Sequence, residues 1–298
     1  MSFCDSSKVI LYCLVFTLLT LNECQMVGCN QRRYCERLGS IEGILHSLSL
    51  TTSQLVDLAA NNIKELKDVD SCTRNRCSTL PQDCSNLLNN GHHQSGIYEV
   101  WPRFLNESVF VWCDMQHSGG GWTVIQRRGD YGNDPLLFYK PWNDYKQGFG
   151  NISEEFWLGN DNIFALTNQD SMELVIYLEN FEGGKRYAMY SNFLVRSERE
   201  MYRMSYENYE GNAGDAMDVH NHKNFSTFDH DNDLKNSEPS CAEKYKAGWW
   251  FAVCHKANLN GPYERGLHEP TGRGVNWEPW MGLHYSLKSV EMKIRPKK

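Results

Sequence analysis

Short apolar runs bounded by polar and glycine-rich turns mark a series of strands through the carboxy-terminal two thirds of the chain. Residues 97–100, 109–113 and 122–126 are rich in β-branched and aromatic side chains, with Ser118-Gly119-Gly120-Gly121 as the turn before the third. Residues 172–178, 187–195 and 201–206 read as further strands, and 287–294 alternates apolar with polar or charged side chains to close the domain. Ser153 followed by Glu154 and Glu155 is a good N-cap with an acidic first turn, so a helix is predicted from Glu154 through Phe156 and Trp157. Beyond Gly211 the periodicity fades until after Tyr263, and Gly266, Gly272, Gly274 and Gly282 continue the irregular stretch. Long loops inside a domain are usually functional when disulfides and a metal organise them, which places the business end in the last third. Strands with a few short helices predict an α+β class built on an antiparallel sheet.

A different period runs nearer the amino end. Leu38, Leu45, Thr52, Ala59 and Leu66 share one heptad position, and Ile41, Leu48, Leu55, Asn62 and Val69 share its partner, predicting a short coiled coil. A single amphipathic helix packed on its own domain is the alternative. The couples Cys29 with Cys35 and Cys72 with Cys77 flank the seam and favour association, because they can tie neighbouring strands covalently at both ends. Ahead of the seam, Lys8 precedes an apolar run from Val9 to Leu21, long enough for a signal-peptide core and short for a bilayer span. The division expected is a signal peptide over 1–25, an oligomerisation coil over 26–80 and a globular domain over 81–298. Retention of the first segment as an anchor is the minority alternative to a secreted, extracellular protein with no membrane insertion.

Composition and charge narrow the partners. A net charge of −7 over 298 residues, with no long basic block, leaves no electrostatic footprint for nucleic acid. Of eleven cysteines, Cys4, Cys13 and Cys24 fall in the signal region, leaving the even set Cys29, Cys35, Cys72, Cys77, Cys84, Cys113, Cys241 and Cys254. Disulfides in an oxidising compartment are the default for such a set, and the spacing for a zinc site is lacking. Sequons at Asn106, Asn151 and Asn224 agree with the secretory route.

The segment Phe228-Asp229-His230-Asp231-Asn232-Asp233 carries the strongest chemical signal. Alternating carboxylates on a turning backbone can aim at one point and leave carbonyls free, a hard-oxygen set that suits Ca²⁺. A solvated acidic turn is the bland alternative. Cys241 and Cys254, a short apolar run apart, could brace the loop. The loop lacks the glycine and glutamate of an EF-hand. Arg128-Gly129-Asp130 spells an integrin-binding tripeptide but directly follows a predicted strand, and His92-His93 and the His220/His222 pair are taken as exposed loop residues. No nucleophile arrangement of the hydrolase kind is suggested, so an enzyme is not expected.

Taken together, Gly120-Gly121-Trp122-Thr123-Val124-Ile125-Gln126-Arg127-Arg128, Glu155-Phe156-Trp157-Leu158-Gly159-Asn160, Gly211-Asn212-Ala213-Gly214-Asp215, Gly248-Trp249-Trp250, Ala257-Asn258-Leu259-Asn260-Gly261 and Tyr285-Ser286-Leu287-Lys288 resemble the fibrinogen carboxy-terminal domain, in order from 84 to 296. With a signal, a short coil and one such domain, the chain looks most like the tachylectin-like and ficolin-like secreted lectins. It has no collagen Gly-X-Y tract. The resemblance implies disulfides Cys84 with Cys113 and Cys241 with Cys254. It implies calcium on the side chains of Asp231 and Asp233 and the carbonyls near Lys235 and Ser237, with Asp229 in support. The stretch before Cys241 is a residue or two longer than the family pattern. The resemblance also implies an acetyl pocket in which a Cys254-His255 peptide, often cis, presents N–H groups beside the Tyr245 ring. Thr271, Gly272 and Leu283 stand where the family usually supplies further walls.

The function these readings lead to is a calcium-binding, multivalent lectin for acetylated or acidic glycans on microbial or cell surfaces, in innate immunity. It would be a disulfide-linked homo-oligomer with three strands as the family-guided number. A protein-binding signalling or adhesion ligand of the angiopoietin type is the alternative.

Overall fold

The computed structural model describes residues 80–297, so the predicted signal, the heptads and the four amino-terminal cysteines that flank them lie outside the described residues. Two units divide the chain, and the compact one described below comprises Pro81–Pro102 and the residues from Ser108 onward. Among the described residues no helix is long and apolar enough to cross a membrane.

Helix α1 (Cys84–Asn89) opens the unit, its first turn capped by the Asp83 carboxylate accepting from the Asn86 N–H at 2.8 Å. Strands β1 (Gly96–Val100), β2 (Val109–Asp114) and β3 (Trp122–Arg128) follow as predicted. Cys84 bonds Cys113, closing a separation of 29 residues and fastening α1 to β2, a constraint worth about 3.6 kcal/mol in a chain-entropy account. Next come α2 (Trp142–Gln147), the two-residue strands β4 (Phe149–Gly150) and β5 (Phe156–Trp157), and α3 (Asn160–Thr167). The long strands β6 (Met172–Glu179), β7 (Lys185–Val195) and β8 (Met204–Gly211) complete one wing of the sheet. The last strand, β13 (Ser289–Pro296), inserts at its centre, giving the order β1-β2-β3-β13-β6-β7-β8 with every pairing antiparallel. Val290, Met292 and Ile294 of β13 face the core, while Lys293 on its other face is buried against Asp114 at 2.7 Å and Glu291 at 2.6 Å.

Two predicted elements differ. The stretch from Glu154 does not form a helix; Phe156 and Trp157 are both buried and pair with Arg127 and Gln126 as β5. Glu155 turns inward to Arg128, and the helix starts only after Gly159. The strand expected at 201–206 begins later, because Met201 and Tyr202 adopt left-handed backbone angles that end the preceding turn.

The irregular region packs on the sheet through aromatic rings. Trp157, Phe225 and Trp250 lie within 5.2–6.0 Å of one another, centroid to centroid, with Tyr145 5.1 Å from Phe225. Fully burying one such ring contributes about 1.5–3 kcal/mol, so loops poor in hydrogen-bonded ladders are held by their side chains. On this base sit α4 (Cys241–Tyr245), the paired β9 (Ala257–Asn258) and β11 (Asn276–Trp277), α5 (Glu278–Met281), and the paired β10 (Gly266–Leu267) and β12 (Tyr285–Ser286).

Candidate functional site

The acidic loop is anchored before it offers any ligand. Asp229 Oδ1 accepts from the Trp142 N–H at 2.9 Å and from Thr227 Oγ1 at 2.7 Å, so Asp229 supports the loop. Asn232 ties it down further, its Nδ2 donating to Phe225 O at 2.8 Å and its backbone N–H donating to Ser226 Oγ at 3.0 Å. Asp231 and Asp233 are left facing one another. Asp231 Oδ1 accepts the Asp233 N–H at 3.0 Å; Asp233 accepts the N–H groups of Lys235 at 2.6 Å and Cys241 at 2.7 Å. Burial, and after it the neighbouring Asp231 charge, holds the Asp233 carboxyl above its usual range despite those two N–H donors. The Lys235 ammonium meanwhile donates to the carbonyls of Ser237 and Pro239.

These residues fit a hard cation in chemistry. Two carboxylates repel across the loop, and one of the expected carbonyls, Ser237, already takes a positive group. Among the described residues no group of three or more His, Cys, Asp or Glu gathers to hold a metal ion. A cation here would therefore draw on two carboxylates and otherwise on carbonyls and water.

The loop is coupled to a second feature. The Leu234 N–H donates to Ala252 O at 3.0 Å, and Cys241 at the start of α4 bonds Cys254. Ser240 and Glu243 form a capping box on α4, which fixes Tyr245 one turn later. The cis peptide of this segment joins Val253 to Cys254, one bond earlier than the expected Cys254-His255 peptide. Tyr245 and His255 meet edge to face at 4.4 Å. Both ring nitrogens of His255 are shut off from solvent, with the Gly272 backbone the polar group that meets the ring. Burial, with the positive potential of neighbouring basic groups, pushes the imidazole down to about 3, so the ring is uncharged at neutral pH.

Gly272 closes on the same two rings. Its φ is +79°, and a Cβ there would stand 2.9 Å from Tyr245 Cε1 and 3.2 Å from the His255 ring, so glycine is required for the approach. Gly272 N–H donates to Leu283 O at 2.7 Å, which brings Leu283 beside it. Thr271 Oγ1 lies 3.1 Å from His284 Nε2, and Glu269 Oε1 lies 3.0 Å from His284 Nδ1. The structure thus brings Tyr245, Cys254, His255, Thr271, Gly272 and Leu283 to one place. Sequence reading missed Asn258, whose Nδ2 sits 3.4 Å from both Tyr245 O and Gly272 O, and the Glu269–His284 rim. The first lies in the Ala257-Asn258-Leu259-Asn260-Gly261 motif; the second had no signal, since β10 and β12 pair across a long loop.

Other expectations resolve around the site. Arg128 of the integrin-like tripeptide is wholly buried on Glu155, so it presents no adhesive side chain. His220 is not exposed; Nδ1 lies 2.7 Å from Trp250 O, and Nε2 accepts the Lys256 and Ala257 N–H groups at 3.3 and 3.2 Å. His222 is exposed, so the two do not form a metal pair.

Comparison with known proteins agrees with the architecture. The family model for the C-terminal globular domain of fibrinogen beta and gamma chains matches residues 80–297. Techylectin-5A of Tachypleus tridentatus is 47% identical over 246 residues, covering 81% of this chain and 84% of the relative. Angiopoietin-related protein 7 of Mus musculus is 45% identical over 239 residues, covering 79% of this chain and 69% of the relative. The solved fibrinogen-like globe domain of human ANGPTL2 superimposes with a TM-score of 0.70 at 44% identity, covering 73% of this chain and all of that domain. The chain belongs to the family of the fibrinogen C-terminal globular domain.

Proposed function

We propose that the protein is a secreted lectin, stabilised by calcium, that takes a small neutral group of a glycan, an acetyl foremost, against Tyr245 and His255. The observation that carries the reading is the uncharged His255 ring packed edge-on against Tyr245, with the exposed Thr271 hydroxyl in the segment that closes on both rings. The Thr271 hydroxyl and the Glu269–His284 pair form a polar rim suited to sugar hydroxyls. Recognition of microbial surface glycans in innate immunity, with avidity from the heptad segment, is the setting we infer. Cys254 is in a disulfide, so His255 has no thiolate to activate, which supports a binding protein rather than an enzyme. The lectin-named relative at 47% identity supports the same reading.

Titration of the intact protein with an N-acetylated glycan tests it. Tyr245→Ala is expected to weaken binding by about 1–3 kcal/mol, the usual loss for an aromatic anchor, with the fold unchanged. Since Thr271, Gly272 and Leu283 replace the expected walls, binding by one isolated domain should be weak. The angiopoietin-related relatives favour a second reading, a ligand for a protein receptor. No glycan binding by either form, alongside tight receptor binding, would replace the lectin reading with this one.

In our reading calcium is held by the carboxylates of Asp231 and Asp233 and the carbonyls of Lys235 and Ser237. Chelator should lower the melting temperature, because a bound cation offsets the burial cost and the Asp231 repulsion that raise the Asp233 pKa. Asp231→Ala and Asp233→Ala should abolish the calcium-dependent part of stability. Variants that melt like the parent with and without calcium would remove the assignment.

A further inference from the structure

We propose that Asn151 carries an N-linked glycan whose first N-acetylhexosamine lies in the protein's own cleft beside Tyr131. Asn151, Tyr131, Asn133, Asp134, Leu136 and Glu154 are among the residues around a cleft of about 260 Å³. That is below the roughly 300–1,000 Å³ of pockets for free ligands, and suits one ring already tethered at the rim.

The sequon is presented for modification. Asn151 and Ser153 are exposed. Asn151 Oδ1 accepts the Ser153 N–H at 3.0 Å, and the main chain is pinned by Asn151 N–H to Glu155 O at 2.9 Å and Glu154 N–H to Asn151 O at 2.8 Å. This side-chain turn fixes the carboxamide at the cleft's edge, with Nδ2 donating no hydrogen bond among the described residues. The contrast is Asn224, where the next two residues, Phe225 and Ser226, are wholly buried and Ser226 Oγ is already engaged by Asn232.

The cleft has complementary chemistry. Tyr131 is 43% exposed, offering its ring to a sugar's apolar face, and Leu136 extends that surface. Asp134 and Glu154 supply acceptors for the sugar hydroxyls. The compartment is supported by the two disulfides. In the attachment, Nδ2 loses a proton to the transferase's base and bonds the anomeric carbon of a lipid-linked pyrophosphoryl sugar. The bond from that carbon to the pyrophosphate oxygen breaks, and the lipid pyrophosphate leaves with the electron pair.

The test uses the full chain secreted from eukaryotic cells. Peptide mass mapping should find glycan at Asn151, and either Asn151→Gln or Ser153→Ala should remove one glycan's mass from the secreted protein. Tyr131→Ala should then lower the melting temperature by about 2 °C in the glycosylated protein, and not in the Asn151→Gln background. An unmodified Asn151 overturns the attachment. Equal Tyr131→Ala shifts in the two backgrounds, including none in either, overturn the seat.

Discussion

Glu155→Ala is expected to destabilise the domain by about 3–5 kcal/mol, the cost of stranding a buried charge. Arg128 has no exposed side-chain surface, and its Nε lies 2.9 Å from Glu155 Oε1. Burial lowers the guanidinium's pKa, while the Glu155 charge opposes the fall. The same carboxylate accepts the Leu136 N–H at 2.6 Å, and that donor would be stranded too. The Phe138 ring, 3.9 Å from the guanidinium carbon, offers partial compensation only. The effect should reach the ligand site, because Arg128 Nη1 also donates to Leu259 O at 3.2 Å and Gly261 O at 2.7 Å, immediately after Asn258. Replacing both partners together, Arg128→Met with Glu155→Leu, should recover most of the loss, since no charge is left unpaired. Urea unfolding of the three variants checks this. A single-variant loss below about 1 kcal/mol would mean that water or another acceptor reaches Arg128.

What was legible in the sequence follows from where each signal originates. The long strands could be read because their signal is local: β1, β2, β3, β6 and β7 each carry their own run of β-branched, aromatic or other apolar side chains. Ser153 was misleading because its cap-like neighbours are also local, while the pairing that makes Phe156 and Trp157 a strand comes from Arg127 and Gln126, about thirty residues earlier. His220 was misread for the same reason, its partner being Trp250 O at a separation of 30. At the site, the alternating aspartates announce themselves. Nothing adjacent announces that Asp233 takes the Cys241 N–H or that Gly272 packs on Tyr245. Those depend on a loop path set by a disulfide and by contacts between distant segments.

Acidification should destabilise the protein before its carboxylates titrate. Burial pushes His220 from 6.5 down to about 4 in the fold, so between those values the unfolded chain binds a proton that the folded chain refuses. Stability is then fully present above pH 6.5 and falls as the pH drops toward 4, by about 3 kcal/mol for this residue. His255, also pushed down, acts in the same direction. The carboxyls of Asp114, Glu179, Glu198 and Glu291 are lowered from 3.8 or 4.5, so the stability they give is lost only below that range. Asp233 has the opposite sign: burial and the Asp231 charge raise its pKa, so protonation relieves both costs as the pH falls. The window from pH 6.5 to about 5 therefore belongs to the two histidines. Urea midpoints at pH 7, 6 and 5 should fall progressively, and His220→Gln, which keeps a donor and an acceptor without titrating, should flatten part of that slope. Midpoints that hold steady across the window would mean that His220 Nε2 takes its proton without cost from the Lys256 and Ala257 N–H groups it accepts. Over the upper part of the window, where the domain stays folded, His255 remains uncharged, so affinity for a neutral acetyl group should hold while stability falls, and that divergence separates a pocket that stays neutral from one that titrates.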